Sequence, residues 1–341
     1  MKLLIGGSPC THWSIAQTKN RETEASGIGW ELFLNYRIAR DKYQPDFFLY
    51  ENNKSMSPAI RAQITAELGV EPVLINSALV SAQNRQRLYW VGKRELDGTY
   101  SQVRVEQPED RGILLRDMIA VPVRVGAMPN KDGELGTSQS RRIYSTDGKS
   151  VSLQARPNGG GADGAVTGLY AVPVIPDGKG QFVIKAAGGK EIPVYEVRGG
   201  RITIKGKTYP IKLADGFYII RKLTVTECKR LQTVPDTYAF PVSDTQAYKM
   251  LGNGWTVDVI AHIMSHFTGL TEEPVEVLSM YDGMSCGHIA LDKLGAEITA
   301  YYATEIDKYA IQTTQHNYPD TVQLGDAFQV RDDDWRLGEE L

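Results

Sequence analysis

Short apolar runs alternate with helical stretches along the first 92 residues of the chain. In chain order these segments are Leu3 to Gly6, Gly29 to Lys42, Asp46 to Tyr50, Ser57 to Leu68 and Pro72 to Ser77. This βαβαβ order predicts a parallel sheet that is covered by helices. Two more apolar runs of β type follow, one around Val80 and one from Arg87 to Val91.

The pattern changes between about residues 93 and 222, where 19 of the 33 glycines lie. Short β-type runs recur there, such as Gln181 to Lys185, Arg201 to Lys205 and Gly216 to Ile220. Glycine-rich turns between short strands are typical of a separate, mainly β module. The middle of the chain is therefore predicted to fold as a smaller β-rich domain.

Helical periodicity returns after residue 222, where Val257, Ile260 and Ile263 begin one apolar stripe. Residues 267 to 274 end in Glu-Glu-Pro and predict a linker. A second βαβαβ run follows it, made of strand Val275 to Met280, a helix to Leu294, strand Ile298 to Ala303, a helix to about Asn317 and strand Thr321 to Leu324. The whole pattern predicts an α/β fold with a doubly wound, mostly parallel sheet and a smaller β-rich domain.

Charge is distributed unevenly along the chain, although the formal net charge is only −3. Residues 93 to 222 carry 21 Lys+Arg against 14 Asp+Glu, which is +7, and the rest carries 17 against 27, which is −10. A basic segment in an acidic chain is a candidate surface for nucleic-acid phosphates. The middle module is therefore the part expected to face a nucleic acid.

Cysteine content and apolar run lengths indicate the compartment. The three cysteines, Cys10, Cys228 and Cys286, are scattered and form neither a disulfide framework nor a zinc spacing. No apolar run approaches the roughly 18 residues that span a bilayer, and the first apolar run is too short for a signal peptide. We therefore expect no membrane role and no metal, and a reducing cytoplasm.

A glycine-containing loop follows the first strand of the second βαβαβ run. It reads Tyr281-Asp282-Gly283-Met284-Ser285-Cys286-Gly287 and opens a helix, and Glu305 and Asp326 end the next two strands. Carboxylates at successive strand ends suit the hydroxyl and amino groups of a nucleoside. The loop lacks the G-x-G-x-x-G pattern of a dinucleotide site, so a methyl donor is favoured over NAD. The alternative is a tight turn with solvated acids.

Residues with catalytic chemistry follow the strands of the first run. Cys10 follows the first strand, Glu51 ends the second, and Arg85 and Arg87 lie two apart, hence on one face of an extended chain. A thiolate that adds to carbon 6 of cytosine makes carbon 5 nucleophilic, and a carboxyl group that protonates ring nitrogen 3 assists the addition. The arginines could hold the ring carbonyl and a phosphate. The alternative is that Cys10 is an inert buried thiol.

These motifs together resemble the cytosine carbon-5 DNA methyltransferase family. Pro9-Cys10 resembles its nucleophile motif, Glu51-Asn52 its acid motif and Gln83-x-Arg85-x-Arg87 its arginine motif. Further matches are the segment from Arg221 to Pro235, Gly252-Asn253-Gly254-Trp255, the loop from Tyr281 to Gly287, Glu305 and Asp326. Thr11 departs from the Gln that the bacterial pattern usually has after the nucleophile.

The resemblance implies a function and a set of site residues. It implies transfer of a methyl group from S-adenosylmethionine to a flipped-out cytosine in a specific sequence of double-stranded DNA. The implied catalytic residues are Cys10, Glu51, Arg85 and Arg87. The implied cofactor-binding residues are Pro9, Asn253, Trp255, Tyr281, Asp282, Gly283, Ser285, Cys286, Gly287, Glu305, Ile306 and Asp326.

The motifs occur in an unusual order, because the family's cofactor motifs ordinarily come first and here come last. The chain therefore resembles a circularly permuted member. The implied parts are a catalytic half (1–92), a target recognition domain (93–220), a return segment (221–266), a linker (267–274) and a cofactor-binding half (275–341). The DNA is expected in a cleft between the recognition domain and the sheet.

Three alternatives remain open at this point. A related branch of the family modifies transfer RNA, so an RNA cytosine methyltransferase is one alternative. A catalytically silent DNA-binding homologue is another, and transfer of an altered group from a modified cofactor is a third. A cognate restriction enzyme is a further expected partner, in the cytoplasm of a bacterial or phage-infected cell. The sequence indicates neither the DNA site nor the oligomeric state.

Overall fold

The computed structural model of the chain describes residues 1–9, 12–14, 21–113, 124–129, 132–135, 142–144, 153–155, 165–166, 169–175 and 191–332. Its strands are β1 (Lys2–Gly6), β2 (Phe47–Asn53), β3 (Pro72–Asn76), β4 (Gln86–Arg94), β5 (Tyr100–Gln102), β6 (Arg124–Ala127), β7 (Arg142–Tyr144), β8 (Gln154–Ala155), β9 (Ala165–Val166), β10 (Leu169–Val174), β11 (Val194–Arg198), β12 (Arg201–Ile204), β13 (Lys207–Pro210), β14 (Gly216–Arg221), β15 (Val275–Met280), β16 (Ile298–Thr304) and β17 (Val322–Gly325). Its helices are α1 (Gly27–Tyr43), α2 (Pro58–Leu68), α3 (Val225–Leu231), α4 (Asp244–Asn253), α5 (Val257–Met264), α6 (Cys286–Leu294), α7 (Lys308–Asn317) and α8 (Ala327–Asp332).

The larger sheet combines strands from both ends of the chain. Its order is β17-β16-β15-β1-β2-β4-β3, and β5 pairs with β4. The pairs that join β17, β16, β15, β1 and β2 are parallel, whereas β4 runs antiparallel to β2, β3 and β5. The predicted mostly parallel sheet is therefore confirmed, and its centre is the contact between β1 and β15.

Both faces of the larger sheet are buried, which explains the continuous apolar runs of its central strands. Leu3 and Ile5 of β1 point into one apolar cluster and Leu4 into the other, and all three side chains are 0% exposed. The first cluster includes apolar residues of α3 to α7, and the second includes those of α1, α2 and α8. Helices therefore cover both faces, as the doubly wound prediction requires.

Local signals fix where several helices begin and end. The Ser57 side chain accepts a hydrogen bond from the Ile60 amide at the start of α2, Pro58 takes the first helical position, and Gly69 closes the helix at φ +74°. Thr224 and Glu227 form a reciprocal capping box at the start of α3. These devices satisfy backbone groups that a helix end leaves without partners.

The structure differs from the pattern around Val80, where a β-type run was expected. A 3-10 turn, Ser77–Leu79, precedes Val80, which is 1% exposed. The Asn76 side chain causes this turn, because its Oδ1 accepts hydrogen bonds from the amides of Ala78 (3.1 Å) and Arg85 (3.0 Å). The apolar residues around Val80 are thus buried by tertiary packing, although they lie in a turn. Their side chains alone do not predict that turn.

The middle of the chain contributes a second sheet, in agreement with its predicted β character. Its order is β13-β12-β11-β14-β10-β7-β6, and β8 and β9 form a separate pair. One face of this sheet packs in its own cluster, which includes Val197, Ile202 and Tyr218. The predicted strand from Gln181 to Lys185 lies outside the described residues. Hydrogen bonding of the larger sheet extends past residue 92, since β5 pairs with β4.

Within the described part of the chain, none of the helices has both the length and the apolar character needed to cross a membrane.

Candidate active site

The end of β1 runs closely past the end of β2, and glycine permits this approach. A Cβ atom on Gly7 would lie 2.8 Å from the Glu51 carbonyl oxygen and 2.9 Å from Glu51 Oε2, distances that real Cβ atoms do not tolerate. The loop that leads to the predicted nucleophile therefore passes directly beside the predicted acid. Pro9 is exposed on this loop, while Cys10 and Thr11 lie outside the described residues.

A buried hydroxyl and amide network holds the loop in place. Ser8 Oγ and Tyr50 Oη are 2.6 Å apart, and Asn52 Nδ2 donates to the Ser8 carbonyl oxygen (3.2 Å) and to Tyr50 Oη (3.1 Å). Burial raises the pKa of Tyr50 well above its usual range, so the group remains a neutral phenol. The residues on both sides of Glu51 thus fix the chain that precedes Cys10.

Two donors hold the carboxylate of Glu51, one on each oxygen. Arg87 Nε lies 3.0 Å from Oε1, and Trp255 Nε1 donates to Oε2 at 3.0 Å. The side chains of Arg87 and Glu51 are 16% and 12% exposed, so solvent screens this pair little. The structure therefore brings together the predicted acid, one predicted arginine and a residue that the resemblance gives to the cofactor site.

Arg85 has different partners from Arg87. Its guanidinium donates to the carbonyl oxygens of Gly252 (3.3 Å), Gly254 (3.0 Å) and Leu153 (3.3 Å), and the residue is 4% exposed. Gln232 Nε2 also donates to the Gly254 carbonyl, at 3.2 Å. Buried carbonyl groups need such donors. Arg85 thus fixes the loop between α4 and α5, from which Trp255 reaches Glu51.

The loop after β15 has an unusual backbone that opens α6. Tyr281, Gly283 and Ser285 have φ values of +59°, +61° and +56°, and two of these residues are not glycine. Hydrogen bonds support the strained positions, because the Tyr281 amide donates to Thr304 Oγ1 at 3.0 Å and its hydroxyl to the Leu32 carbonyl at 2.7 Å. A Cβ on Gly283 would meet nothing within 4 Å, so this loop faces open space.

Asp282 organises this loop from inside. Its carboxyl group accepts hydrogen bonds from Ser279 Oγ (2.7 Å), Tyr301 Oη (2.8 Å) and Ser285 Oγ. Burial raises the pKa of Asp282 above its usual value, and the three donors oppose that shift. The structure therefore gives Asp282 a role in shaping the loop. Gly287 completes the packing, since a Cβ there would lie 2.2 Å from Ile5 Cδ1.

Acidic side chains stand at the ends of β16 and β17, as the sequence predicts. Glu305 Oε2 accepts from the Gly283 amide, and Oε1 accepts from the amides of Ile306 and Asp307, each at 2.8 Å. Ile306 is 74% exposed beside this carboxylate. Asp326 Oδ1 accepts from the Phe328 amide at 2.9 Å. The strand ends thus offer fixed carboxylates and one exposed apolar side chain to a ligand.

The loop of residues 252 to 255 touches the loop after β15. A Cβ on Gly254 would lie 3.2 Å from Cys286 Sγ, and the Trp255 amide forms a hydrogen bond to that thiol. Burial raises the pKa of Cys286 to about 12, so it is an un-ionised packing group. Asn253 is exposed at the same turn. One loop, residues 252 to 255, therefore contacts both the Glu51 site and the loop after β15.

Two cationic side chains near these loops were not predicted from the sequence. Lys249 of α4 donates to Asp307 Oδ2 at 2.6 Å, and so joins the helix before Asn253 to the loop after β16. Lys54 donates to Gln86 Oε1 at 2.7 Å beside the arginine motif. The first contact joins residues 58 apart and the second residues 32 apart. No local pattern signals such pairs, although Lys54 lies two residues after the acid motif Glu51-Asn52.

Sequence comparison shows which family the chain belongs to. A family model described as C-5 cytosine-specific DNA methylase matches residues 1–268 of the chain. The chain belongs to this family. The type II methyltransferase M.HpaII of Haemophilus parainfluenzae is 28% identical, over 76% of this chain and 69% of its own length. M.FnuDI of Fusobacterium nucleatum is 27% identical, over 77% of this chain and 74% of its own.

A solved structure also matches the chain. It is a DNMT2 variant from Spodoptera frugiperda, which is 16% identical, covers 77% of this chain and 78% of its own, and aligns with a TM-score of 0.41.

Family membership determines the class of enzyme and its methyl donor. The chain is a DNA (cytosine-5-)-methyltransferase, and its cofactor is S-adenosylmethionine. The residues after β15, β16 and β17 fit that molecule, because Gly283 leaves open space, Glu305 presents a fixed carboxylate and Ile306 presents an apolar face. Ligands of open α/β sheets bind at this carboxyl edge of the strands.

Proposed function

We propose that this chain methylates carbon 5 of a flipped-out cytosine in a specific double-stranded DNA sequence, and that Cys10 and Glu51 perform the covalent chemistry. The observation that carries the proposal is the Glu51 site. Its carboxylate is held by Arg87 and Trp255 and lies against Gly7, three residues before Cys10. An acid fixed beside the loop that carries a thiol suits addition to a pyrimidine ring.

In the proposed cycle, the Cys10 thiolate attacks carbon 6 and forms a sulfur–carbon bond, while ring nitrogen 3 takes a proton from the carboxyl group of Glu51, which is left as the carboxylate that Arg87 holds. The electron pair that reaches carbon 5 would then form the bond to the methyl group as the bond between that group and the sulfonium sulfur of the donor breaks, which leaves a neutral thioether. Loss of the carbon 5 proton to a water molecule, return of the nitrogen 3 proton to Glu51 and cleavage of the sulfur–carbon bond to Cys10 then release the Cys10 thiolate and the methylated base. Covalent catalysis of this kind divides one difficult substitution into easier steps.

The surrounding residues orient these groups. Arg87 keeps its guanidinium at the acid, within reach of the ring carbonyl of a bound base. Arg85 acts as a positioning residue in this proposal, because its donors are directed at backbone carbonyls of residues 252 and 254. Trp255 positions the second oxygen of Glu51. This division of roles separates the two arginines that the motif presents as a pair.

S-adenosylmethionine supplies an electrophilic methyl group at this site. In the proposal, Glu305 would accept hydrogen bonds from the ribose hydroxyls, Ile306 would pack on the adenine ring and Asp326 would accept a hydrogen bond from a polar edge of the nucleoside. The loop from Tyr281 to Gly287 forms the floor, with Gly283 at the open side. Pro9, Asn253 and Trp255 line the side that faces the base, at the junction of the two loops.

We also propose that the chain is a circularly permuted member of the family. The family match ends at residue 268, while β15, β16 and β17 lie beyond it and pair in sequence next to β1. The proposed parts are those set out above, with residues 267–274 as the joint. The described residues of the joint form turns on the way from α5 to β15.

The second sheet is proposed to be the target recognition domain that reads the DNA sequence. Its support is the positive charge of residues 93 to 222 and its own apolar cluster. Because the matched relatives are called type II methyltransferases, we propose a cognate restriction enzyme as a biological partner, in the bacterial or phage-infected cytoplasm.

Tritiated methyl transfer tests the proposal directly. Bisulfite sequencing of DNA from cells that express the protein first identifies the methylated site. We then expect wild type to label a duplex with that site, but not the matching RNA, and Cys10→Ser to lose at least about 1,000-fold in rate, as when a nucleophile is removed. Cys228→Ser is the matched control, because the Cys228 thiol is buried in α3 and forms no part of the proposed site. Undiminished transfer by Cys10→Ser would contradict the assignment.

A further inference from the structure

A cavity of about 300 Å³ opens beside the Glu51 site. Its lining residues are Asn53, Lys54, Ser55, Gln86 and Arg87. Asn53 and Arg87 face each other across β2 and β4, and Glu51 lies two residues earlier on β2. Alternate residues of a strand share a face and lie about 7 Å apart. The cavity therefore lies next to Glu51, toward the end of β2 and on the same face of the sheet.

The walls of this cavity are held by their own hydrogen bonds. Ser55 Oγ donates to Asn53 Oδ1 at 2.7 Å, and the Ser55 carbonyl oxygen accepts from Arg21 Nη2 at 2.6 Å. Arg21 Nε also donates to the Trp13 carbonyl, at 3.2 Å, and Trp13 is 0% exposed. Arg21 thus joins the turn after Glu51, which lines the cavity, to the backbone of the buried Trp13.

The charge of the lining is unbalanced. Arg87 is paired with Glu51, but the Lys54 ammonium donates to the neutral amide oxygen Gln86 Oε1 at 2.7 Å. None of the five lining residues has a carboxylate, and within the described parts of the chain Lys54 forms no ion pair. The bond from Lys54 orients the Gln86 amide, which keeps its NH2 group as a further donor. The lining therefore favours a singly charged anion.

We propose that this cavity binds one phosphodiester group of the target DNA strand, adjacent to the flipped cytosine, with Lys54 as the charged contact. The inference rests on the proposed function, because that function places the flipped cytosine at Glu51. The sugar–phosphate backbone of the same strand then lies next to Glu51, in the cavity. A second base in the cavity would leave the ammonium without a counter-charge. A phosphodiester supplies one charge and two acceptor oxygens, which match Lys54 and Gln86.

The first test compares Lys54→Gln with Lys54→Arg and with Lys42→Gln, which removes the charge of an exposed lysine in the last turn of α1. A charge-assisted hydrogen bond that is lost should raise KM for DNA about 10-fold in Lys54→Gln, while KM for S-adenosylmethionine is unchanged. The slope of log Kd against log salt should fall by about one. Lys54→Arg should retain most of the affinity, and Lys42→Gln should behave as wild type.

The second test uses duplexes with a neutral methylphosphonate at the linkage on either side of the target cytosine. At one of the two linkages, the methylphosphonate should lower the DNA affinity of wild type about 10-fold. The affinity of Lys54→Gln should be almost the same for the methylphosphonate duplex as for the unmodified duplex. Equal losses in both proteins at both linkages, or wild-type behaviour of Lys54→Gln, would overturn the inference. Failure of the proposed function has a different signature, since wild type itself would then methylate no duplex.

Discussion

At the scale of single residues, the Glu51 carboxylate is held by one charged and one neutral donor. The sequence motif identifies Glu51 and Arg87, but the Trp255 indole reaches Oε2 from 204 positions away. Only the fold shows that this donor, which the resemblance gives to the cofactor, also touches the acid. Trp255 therefore couples the position of the acid to the loop that packs on Cys286.

Replacing Trp255 by Phe keeps an aromatic ring and removes the indole N–H. A hydrogen bond to a charged group contributes about 1.5 to 3 kcal/mol, so we expect kcat for methyl transfer to fall roughly 10-fold or more. KM for S-adenosylmethionine should change less, because the ring that packs at the loop remains. Single-turnover rates at saturating DNA and methyl donor measure this split.

Trp90→Phe is the matched control for this substitution. Trp90 is also buried at 0% exposure, and its Nε1 donates at 3.0 Å to Thr65 Oγ1 rather than to Glu51. Its ring packs beside Tyr50, with a centroid distance of 5.7 Å, an aromatic contact that a phenylalanine ring can retain. Trp90→Phe should lower the free energy of unfolding and leave kcat unchanged. Equal kcat losses in both variants would indicate a general packing effect and contradict the positioning role of Trp255.

At the scale of elements, most strands and helices of the larger sheet were predictable, because their signals are local. The predicted strand Val275 to Met280 coincides with β15, and Gly295 ends α6 as expected. The pairing of the strands was harder to predict from the sequence. No local signal indicates that β4 runs antiparallel or that Arg85 turns away from Arg87. Arg85 precedes β4, so the two-residue spacing did not place both guanidinium groups at the acid.

The contact between α4 and the loop after β16 is an element-scale feature with a functional consequence. Lys249 and Asp307 form an ion pair whose side chains are 36% and 25% exposed. Although burial acts to raise the pKa of Asp307, the hydrogen bond from Lys249 helps to keep it below its usual value. This pair holds α4 against the loop that carries Glu305 and Ile306.

Lys249→Gln should therefore weaken binding of the methyl donor. A partly exposed ion pair contributes up to about 1 kcal/mol, so we expect KM for S-adenosylmethionine to rise about 2- to 5-fold with kcat unchanged. The difference from wild type should shrink as salt increases, because screening weakens the pair. Initial rates at low and high salt measure both effects.

Lys308→Gln provides the control, because Lys308 adjoins Asp307 but its ammonium lies over the Tyr309 ring, 5.0 Å from the centroid. Lys308→Gln removes one positive charge beside the same loop without breaking the contact between Lys249 and Asp307. A KM that rises equally in both variants would attribute the effect to loop charge and contradict the ion-pair explanation.

At the scale of the whole molecule, the two ends of the chain share one core. β1 pairs with β15 over five residues, from Lys2 with Glu276 to Gly6 with Met280. Asp258 of α5 joins Arg111, at 2.6 Å, and Lys293 of α6. The order of motifs predicted this proximity, but charge and periodicity did not, because neither reports which strands become neighbours. The Lys54 cavity could not be predicted from the sequence either, because its lining residues come together only when β2 and β4 pair in register.

A rearranged chain tests whether the segment order matters for the enzyme. In it, residues 275–341 come first, a flexible glycine–serine linker follows, and residues 1–266 come last. Every strand pair of the larger sheet can still form, because strand pairing depends on register and direction. The order of the segments along the chain changes only which strands and helices are joined by loops. We expect the rearranged protein to methylate the same DNA site at a rate within about tenfold of the original, since each doubling of loop length costs only about 0.6 kcal/mol. A folded but inactive product, judged by circular dichroism and methyl transfer, would contradict the permutation proposal.

The Cys10→Ser substitution in the rearranged chain is the control. It should abolish methyl transfer there too, which would show that the activity comes from the same site.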